Sequence, residues 1–198
     1  MRKLLTRRNK KLNYRSITYH RKNNIPVIWS TSFTCPFNCK GCYSKDSRNR
    51  YSQVPAYRDW HKEQTETDCY VQALVSEIMK NYKEGDFIRL HGAEGEFYSE
   101  EYVRRIKTIL SACKGIPFFT YTKKMELLRS IIPSASNLFV INSIMPDGSF
   151  NYGDQKFLDK WKKRGYIICP NTQGKAVKCC ECLICTKYDK VIFKQHRG

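Results

Sequence analysis

The sequence predicts an α/β protein: a partial (βα) barrel of about five to six parallel strands, followed by a C-terminal cysteine-rich segment that binds metal. Strand-like and helix-like segments alternate along the chain, which is typical of a parallel sheet with helical crossovers. The strand-like segments are short, continuous apolar runs, as expected of strands covered on both faces. A chain of 198 residues is too short for a full eight-stranded barrel of about 250 residues.

Each predicted element rests on its own local pattern. The first clear helix has apolar side chains on one face, with Thr67 and Asp68 as plausible caps. A second helix follows Ser99, and acidic residues in its first turn suit the helix dipole. The predicted strands are residues 26–34, 87–90, 117–121, 137–144 and 166–169. The first clear helix covers residues 71–82, and two more helices are predicted at residues 124–130 and 154–163.

Two segments lack a strong pattern. Residues 12–20 alternate weakly between polar and apolar side chains, which indicates a short strand. Residues 44–66 show no period, and a connection of that length is usually functional or mobile. We therefore divide the chain into a basic N-terminal arm (1–25), a partial-barrel domain (26–168) and a C-terminal metal-binding segment (169–198).

The positive charge lies at the two ends of the chain. The net charge is +18 overall, yet residues 1–30 contain nine Lys and Arg and no acid, and residues 155–198 contain eleven against three acids. This segregation indicates a polyanionic partner, either a nucleic acid or an acidic protein. The alternative is a solvated surface that only aids solubility.

Cysteine usage indicates metal binding rather than disulfides. The chain has ten cysteines, and they are clustered. The N-terminus lacks the apolar segment of a signal peptide, and no apolar run approaches the roughly 18 residues of a membrane span. We therefore expect a cytoplasmic protein without membrane contact, in which clustered thiols bind metal or carry out redox work.

The first cysteine cluster has three thiols. Cys35, Cys39 and Cys42 lie in CPFNCKGC, directly after the first predicted strand. A cubane iron–sulfur cluster has four irons, so three thiolates leave one iron open for another ligand. The alternatives are zinc binding and three buried structural thiols.

This arrangement resembles the radical S-adenosylmethionine superfamily. The resemblance implies that Cys35, Cys39 and Cys42 hold a [4Fe–4S] cluster whose open iron binds the amino and carboxylate groups of S-adenosylmethionine. It further implies that the reduced cluster cleaves the cofactor to methionine and a 5′-deoxyadenosyl radical, which takes a hydrogen atom from a substrate.

Further cofactor contacts are expected after the other strands. The superfamily carries a Gly-Gly-Glu-Pro segment after its second strand, and this chain has HGAEGEF there, a partial match. An aromatic residue usually precedes the third cysteine, whereas this chain has a glycine there and an aromatic residue just after. His91 is expected to be a structural group, with catalysis as the alternative. The expected cofactor-binding residues are Tyr43, Gly92, Ala93, Glu94, Glu96, Lys123 and Ser143; for Lys123 the substrate is the alternative ligand.

A second cysteine cluster lies near the C-terminus. Cys169, Cys179, Cys182 and Cys185 supply four thiols, the last three at intervals of three residues. This set resembles the auxiliary clusters of radical S-adenosylmethionine enzymes and suits a second [4Fe–4S] cluster. Zinc is the alternative. Cys180 is expected to be the spare thiol, although spacing alone leaves it open as a ligand.

The combination of CPFNCKGCYS, RLHGAEGEFYSEEYV, FFTYTKK and the terminal cysteine run is similar to a phage-associated family labelled gene product 88. That resemblance implies the cofactors and, if a phage encodes the chain, the host cytoplasm. We predict a radical S-adenosylmethionine enzyme that takes electrons from a donor such as flavodoxin or ferredoxin and modifies a substrate such as nucleic acid. The alternatives are an activase that makes a radical on a partner protein, and a non-catalytic iron–sulfur or zinc protein that binds nucleic acid.

Overall fold

A computed structural model describes residues 2–7, 13, 15–37, 39 and 53–195. The helices are α1 (Ile17–Lys22), α2 (Gln53–Gln64), α3 (Tyr70–Asn81), α4 (Glu100–Ala112), α5 (Met125–Ile131), α6 (Gln155–Lys162) and α7 (Cys179–Cys182). The strands are β1 (Ile28–Ser30), β2 (Phe87–Arg89), β3 (Phe118–Thr122), β4 (Leu138–Asn142), β5 (Tyr152–Gly153), β6 (Ile167–Ile168) and β7 (Val191–Lys194). Short 3₁₀ turns cover Pro170–Gln173 and Ile184–Thr186.

The strands form two parallel sheets. The first has the order β1-β2-β3-β4, and the second has the order β5-β7-β6. The prediction of a parallel α/β fold is confirmed. The strands are divided between two sheets instead of continuing through one, and no barrel closure is seen within the described part of the chain.

The pleat of the first sheet gives it two different faces. Side chains of one parity pack with α3, α4 and α5 in the main hydrophobic core, which includes Trp29, Ile88, Phe118, Leu74 and Ile109. Side chains of the other parity, such as Ile28 and Phe119, contact the C-terminal cysteine segment. Because strand side chains alternate between faces, three helices cover one side and the cysteine segment covers the other.

Helix α1 replaces the short strand that was predicted at residues 12–20. Ser16 caps it, since the Ser16 hydroxyl oxygen accepts a hydrogen bond from the Tyr19 N–H at 3.1 Å. A side-chain cap of this kind satisfies one of the free amides in the first turn. The capping serine therefore indicates the secondary structure of this segment better than the weak polar–apolar alternation does.

Helix α2 lies within residues 44–66, where we predicted a long connection. Its buried positions are Arg58 and His61, with Thr65 one turn beyond. These residues have the spacing of one helical face, but all three are polar. The helix was missed because its inward face carries no apolar period.

The cap predicted for α3 was also wrong. Cys69 occupies the N-cap position and makes no side-chain cap hydrogen bond. Thr67 instead donates its hydroxyl to the Gln64 carbonyl at 2.9 Å, at the end of the preceding helix.

The beginning of the chain packs on the first sheet. Leu4 and Leu5 are buried in the main core, and their amides donate to the Glu77 carboxylate on α3. Thr6 forms an antiparallel bridge with Ser30, with N–O distances of 2.7 and 2.9 Å. Residues 4–6 are thus part of the fold.

Asp86, just before β2, connects several elements. Its carboxylate is fully buried and forms a two-pronged ion pair with Arg21 at 2.5 Å. It also accepts hydrogen bonds from the Val27 amide and the Trp29 indole. This single carboxylate therefore fixes α1 and β1 to the start of β2.

None of the helices in the described ranges is long and apolar enough to cross a membrane.

Candidate metal and cofactor site

A cavity of about 590 Å³ lies between the first sheet and the C-terminal cysteine segment, and it extends beyond the carboxyl ends of the strands. Ligands of parallel α/β proteins usually bind beyond these strand ends. Every predicted metal- or cofactor-binding residue that the structure describes lines it: Cys35, Cys39, Gly92, Ala93, Glu94, Glu96, Lys123, Ser143, Cys169, Cys179, Cys182 and Cys185. Cys42 and Tyr43 lie outside the described residues.

The two described thiols of the first cluster are half-buried in the cavity wall. The loop that carries them is attached through its main chain. The Cys35 amide donates to the Glu94 carboxylate at 3.1 Å, and the Thr34 amide donates to the Arg58 carbonyl at 3.2 Å. The cysteine loop is therefore held by α2 on one side and by the segment after β2 on the other.

Glu94 is the centre of this attachment. Its second carboxylate oxygen forms an ion pair with the Arg58 guanidinium at 2.5 Å, and both side chains are almost completely buried. Charge-assisted hydrogen bonds of this kind are strong and directional. The carboxylate that we predicted to bind cofactor thus already positions Cys35 and pairs with a cation from α2.

Glycines in the HGAEGEF segment allow the backbone to approach β1 closely. The Gly92 amide donates to the Thr31 carbonyl at 2.7 Å, and a Cβ atom at Gly92 would lie 2.5 Å from the Ser30 Cβ. Gly95 has a φ of +121°, a conformation that side chains disfavour. These two positions require glycine for packing, whatever binds in the cavity.

Glu96 joins the same segment to the end of β3. Its carboxylate accepts hydrogen bonds from the Thr122 hydroxyl at 2.6 Å and from the Lys123 and Phe97 amides at 2.9 Å. Burial raises the pKa of Glu96, although these hydrogen bonds oppose the shift. Glu96 therefore holds the loop after β3 in place at the cavity wall.

His91 is a buried, hydrogen-bonded residue, as the sequence led us to expect. Its ring nitrogens lie 3.1 Å from the Tyr102 hydroxyl and 3.3 Å from the Thr120 hydroxyl. Burial, helped by the nearby Arg89 and His61, lowers the pKa of His91 to about 3. The imidazole is thus neutral at physiological pH and forms part of both the aromatic core and the cavity wall.

The C-terminal cysteines approach the cavity from three consecutive elements. Cys169 follows β6, Cys179 and Cys182 lie one turn apart on α7, and Cys185 lies in the next 3₁₀ turn. Cys180 is fully buried with Ile28 and Phe119 and does not line the cavity. The structure therefore separates Cys180 from the other four thiols, a distinction that spacing alone could not make.

Two further residues, Tyr121 and Arg89, lie beside these thiols. The Tyr121 hydroxyl donates to the Cys185 sulfur at 2.9 Å, and burial raises the pKa of the Cys185 thiol to about 12. The Arg89 guanidinium lies 4.5 Å from the centre of the Tyr121 ring. The arginine within the apolar run FIRL is a sequence signal for this wall of the cavity.

The donor chemistry of both clusters fits an iron–sulfur cluster, and it also fits zinc, since all predicted ligands are thiols. The described thiols of both sets line the same cavity. Across the residues with described positions, no group of three or more Cys, His, Asp or Glu side chains converges closely enough to hold a metal ion.

Comparison with protein-family models identifies a family for this chain. The family model described as gene product 88 matches residues 3–149, which include β1 to β4 and the first cysteine cluster. No match to this sequence was found among curated proteins or solved structures.

Proposed function

Because the chain belongs to the gene product 88 family, we propose a function for a member of that family: a radical S-adenosylmethionine enzyme that modifies a substrate in the cavity described above. One observation carries this proposal. The described thiols of both sets and the glycine–glutamate segment come from distant parts of the chain, yet all line one cavity. We also propose that the two sheets are the two parts of a partial barrel around that cavity.

The proposal assigns the first cluster to Cys35, Cys39 and Cys42. A reduced [4Fe–4S] cluster bound there would supply the electron that cleaves S-adenosylmethionine, and a carrier such as flavodoxin or ferredoxin would deliver that electron to the cluster. The Arg58–Glu94 ion pair holds the Cys35 amide in position. A cofactor ammonium at Glu94 would share that carboxylate with Arg58.

The remaining cofactor contacts come from the ends of the strands. Gly92 and Ala93 offer main-chain atoms without bulky side chains, and Glu96, Lys123 and Ser143 offer polar groups at the cavity wall. In this proposal Gly92, Ala93, Glu96 and Ser143 hold the methionine and ribose parts of the cofactor and limit the entry of water, while Lys123 faces either the cofactor ribose or the substrate. We assign Cys169, Cys179, Cys182 and Cys185 to a second cluster, with zinc as the alternative metal. These four thiols line the cavity but do not converge on a metal position in the structure, so metal binding would draw them together.

Iron counting tests the assignment of the thiols. Anaerobically reconstituted protein should contain about eight irons per chain, because each cubane holds four. The triple variant Cys35→Ala/Cys39→Ala/Cys42→Ala and the single variant Cys182→Ala should each retain about four. Cys69→Ser is the matched control, since Cys69 is exposed and away from the cavity, and it should retain all the iron. Zinc at the first cluster would refute the assignment.

Cofactor cleavage tests the activity itself. The reconstituted protein is incubated with S-adenosylmethionine and dithionite, and 5′-deoxyadenosine is measured by chromatography. We expect its formation by the wild type and by Cys69→Ser, and none by the triple cysteine variant. Fully loaded protein that forms no 5′-deoxyadenosine would contradict the proposed activity.

A non-catalytic nucleic-acid-binding protein is the second candidate, favoured by the exposed basic residues of the C-terminal part. It predicts intact clusters, nucleic-acid binding and no cofactor cleavage. An activase is the third reading, and recovery of a specific partner protein from the native cell would support it.

A further inference from the structure

The cavity wall carries an excess of positive charge. Its described acidic residues are Glu94 and Glu96, and its described cations are Arg58, Arg89, Lys123 and Lys124. Arg58 compensates Glu94 within their ion pair. The Glu96 carboxylate is occupied by hydrogen bonds from Thr122 and main-chain amides. The cations at the end of β2 and after β3 therefore exceed the acids that face them, which favours an anionic ligand.

Two of these cations lie over phenylalanine rings. The Lys123 ammonium is 5.5 Å from the centre of the Phe150 ring, and the Lys124 ammonium is 4.4 Å from the centre of the Phe37 ring. Phe150 is 42% exposed, so a ligand can reach its face. Each pair thus offers an aromatic surface beside a positive charge. Single-stranded nucleic acids are bound by this combination, with bases on the rings and phosphates on the cations.

Lysines also flank the cavity along the C-terminal segment. Lys178 precedes Cys179, Lys187 follows Thr186, and Lys194 lies between Phe193 and Gln195. Those neighbours line the cavity. Lys187 and Lys194 are exposed, and no ion pair with a described residue involves any of the three. Three lysines are therefore adjacent in sequence to residues of the cavity wall.

We propose that this cavity receives one nucleotide of a single-stranded nucleic acid, with the base against Phe150 and the flanking phosphates on Lys123, Lys124 and the neighbouring lysines. The binding of a nucleotide does not depend on the proposed function. Only the statement that this nucleotide is the substrate rests on it. A base inside a duplex could not enter the cavity without leaving the base stack. An acidic protein would use the lysines but would have no need of the aromatic surfaces.

Binding is measured by fluorescence anisotropy with labelled 12-nucleotide RNA and DNA and full-length reconstituted protein, without reductant or S-adenosylmethionine. Lys123→Gln/Lys124→Gln should weaken binding about tenfold and reduce the salt slope by about 1.4, since each single-strand phosphate contact contributes about 0.7. Lys107→Gln/Lys114→Gln is the matched control, because it removes the same charge from exposed residues that do not line the cavity. It should change binding less than about twofold.

The aromatic part has its own variant. Phe150→Ala should weaken binding at least about fivefold, because stacking of a base on an aromatic ring is lost. Equal losses in the two lysine double variants would overturn the proposal, since they would show only a general charge effect. Displacement of the oligonucleotide by poly-glutamate as readily as by unlabelled oligonucleotide would overturn it in favour of an acidic protein.

Failure of this inference can be told apart from failure of the proposed activity. Oligonucleotide binding that depends on Lys123, Lys124 and Phe150, without any 5′-deoxyadenosine, would support the nucleic-acid site and refute the enzyme. Formation of 5′-deoxyadenosine without oligonucleotide binding would refute the nucleic-acid site and leave the enzyme.

Discussion

Replacing Arg58 by methionine tests how the cysteine loop is held. In the wild type the Arg58 side chain is 7% exposed and the Glu94 side chain 1% exposed, with 2.5 Å between their charged groups. Methionine retains most of the aliphatic volume but removes the cation. Glu94 is then buried with its hydrogen bond to the Cys35 amide but without its charge partner.

Removing one partner of a buried ion pair usually costs about 3–5 kcal/mol, because the other charge stays buried. With about 4 kcal/mol, a chain of this length should lose roughly 8–16 °C in melting temperature. The cysteine loop should be destabilised most, because Glu94 accepts a hydrogen bond from the Cys35 amide. We therefore also expect less iron in reconstituted Arg58→Met than in the wild type.

Thermal unfolding and urea titration of the metal-free protein measure this cost. Arg104→Met is the control, because Arg104 forms an exposed pair with Glu100 and should lose less than about 0.5 kcal/mol. Arg58→Met/Glu94→Gln should recover much of the loss, since glutamine removes the stranded charge and can still accept the Cys35 amide. If Arg58→Met were no less stable than Arg104→Met, the ion pair would not hold this loop.

Three other changes test the surrounding fold. Burial lowers the pKa of His61 to about 4, from 6.5. Since only the unfolded chain then binds a proton as the pH falls, His61 should contribute a loss of about 1.6 kcal/mol of stability between pH 6.5 and 5, and urea titrations should show a smaller drop for His61→Phe. Gly92→Ala should cost about 1–3 kcal/mol, because the new Cβ meets Ser30, and Ser30→Gly in the same chain should recover part of it; an unchanged urea midpoint would contradict the close approach. Asp86→Asn should lower the free energy of unfolding by about 2–3 kcal/mol in the same titration, because Arg21 loses its carboxylate partner. An equal loss of stability in Arg21→Met would show that the two residues act as one unit.

The parallel sheet could be predicted because its strands are apolar runs between periodic helices. Phe118–Thr122 and Leu138–Asn142 form strands where the sequence placed them. Ser99 begins helix α4 as predicted, since its hydroxyl accepts the Tyr102 amide. These local patterns were sufficient because burial of one apolar face decides such elements.

Polar residues in the interior explain what was missed. Arg58 and His61 occupy the inward face of α2, so no apolar pattern marks that helix. Arg89 follows Ile88 in strand β2, so its side chain lies on the opposite face of the sheet from the main core, and there it lines the cavity. Pairing of a buried charge depends on contacts between segments far apart in the chain, and no local pattern reveals them.

The candidate site was predictable in its membership but not in its internal contacts. Strand ends collect loops at one edge of a parallel sheet, so the described cysteines and the HGAEGEF segment were expected to meet. That the Glu94 carboxylate is occupied by Arg58 follows only from the geometry. The burial of Cys180 could not be predicted either, because the rotation of a one-turn helix decides which of its thiols face the cavity.

Strand β7 lies between β5 and β6, although it follows both of them in the chain. Each outer strand therefore lacks its hydrogen-bond partner until residues 191–194 have left the ribosome. The cysteines between β6 and β7 belong to a loop whose second anchor is made last. During synthesis, the cavity-lining thiols of this segment therefore reach their folded positions only after residues 191–194 have been added, later than the residues of the first sheet.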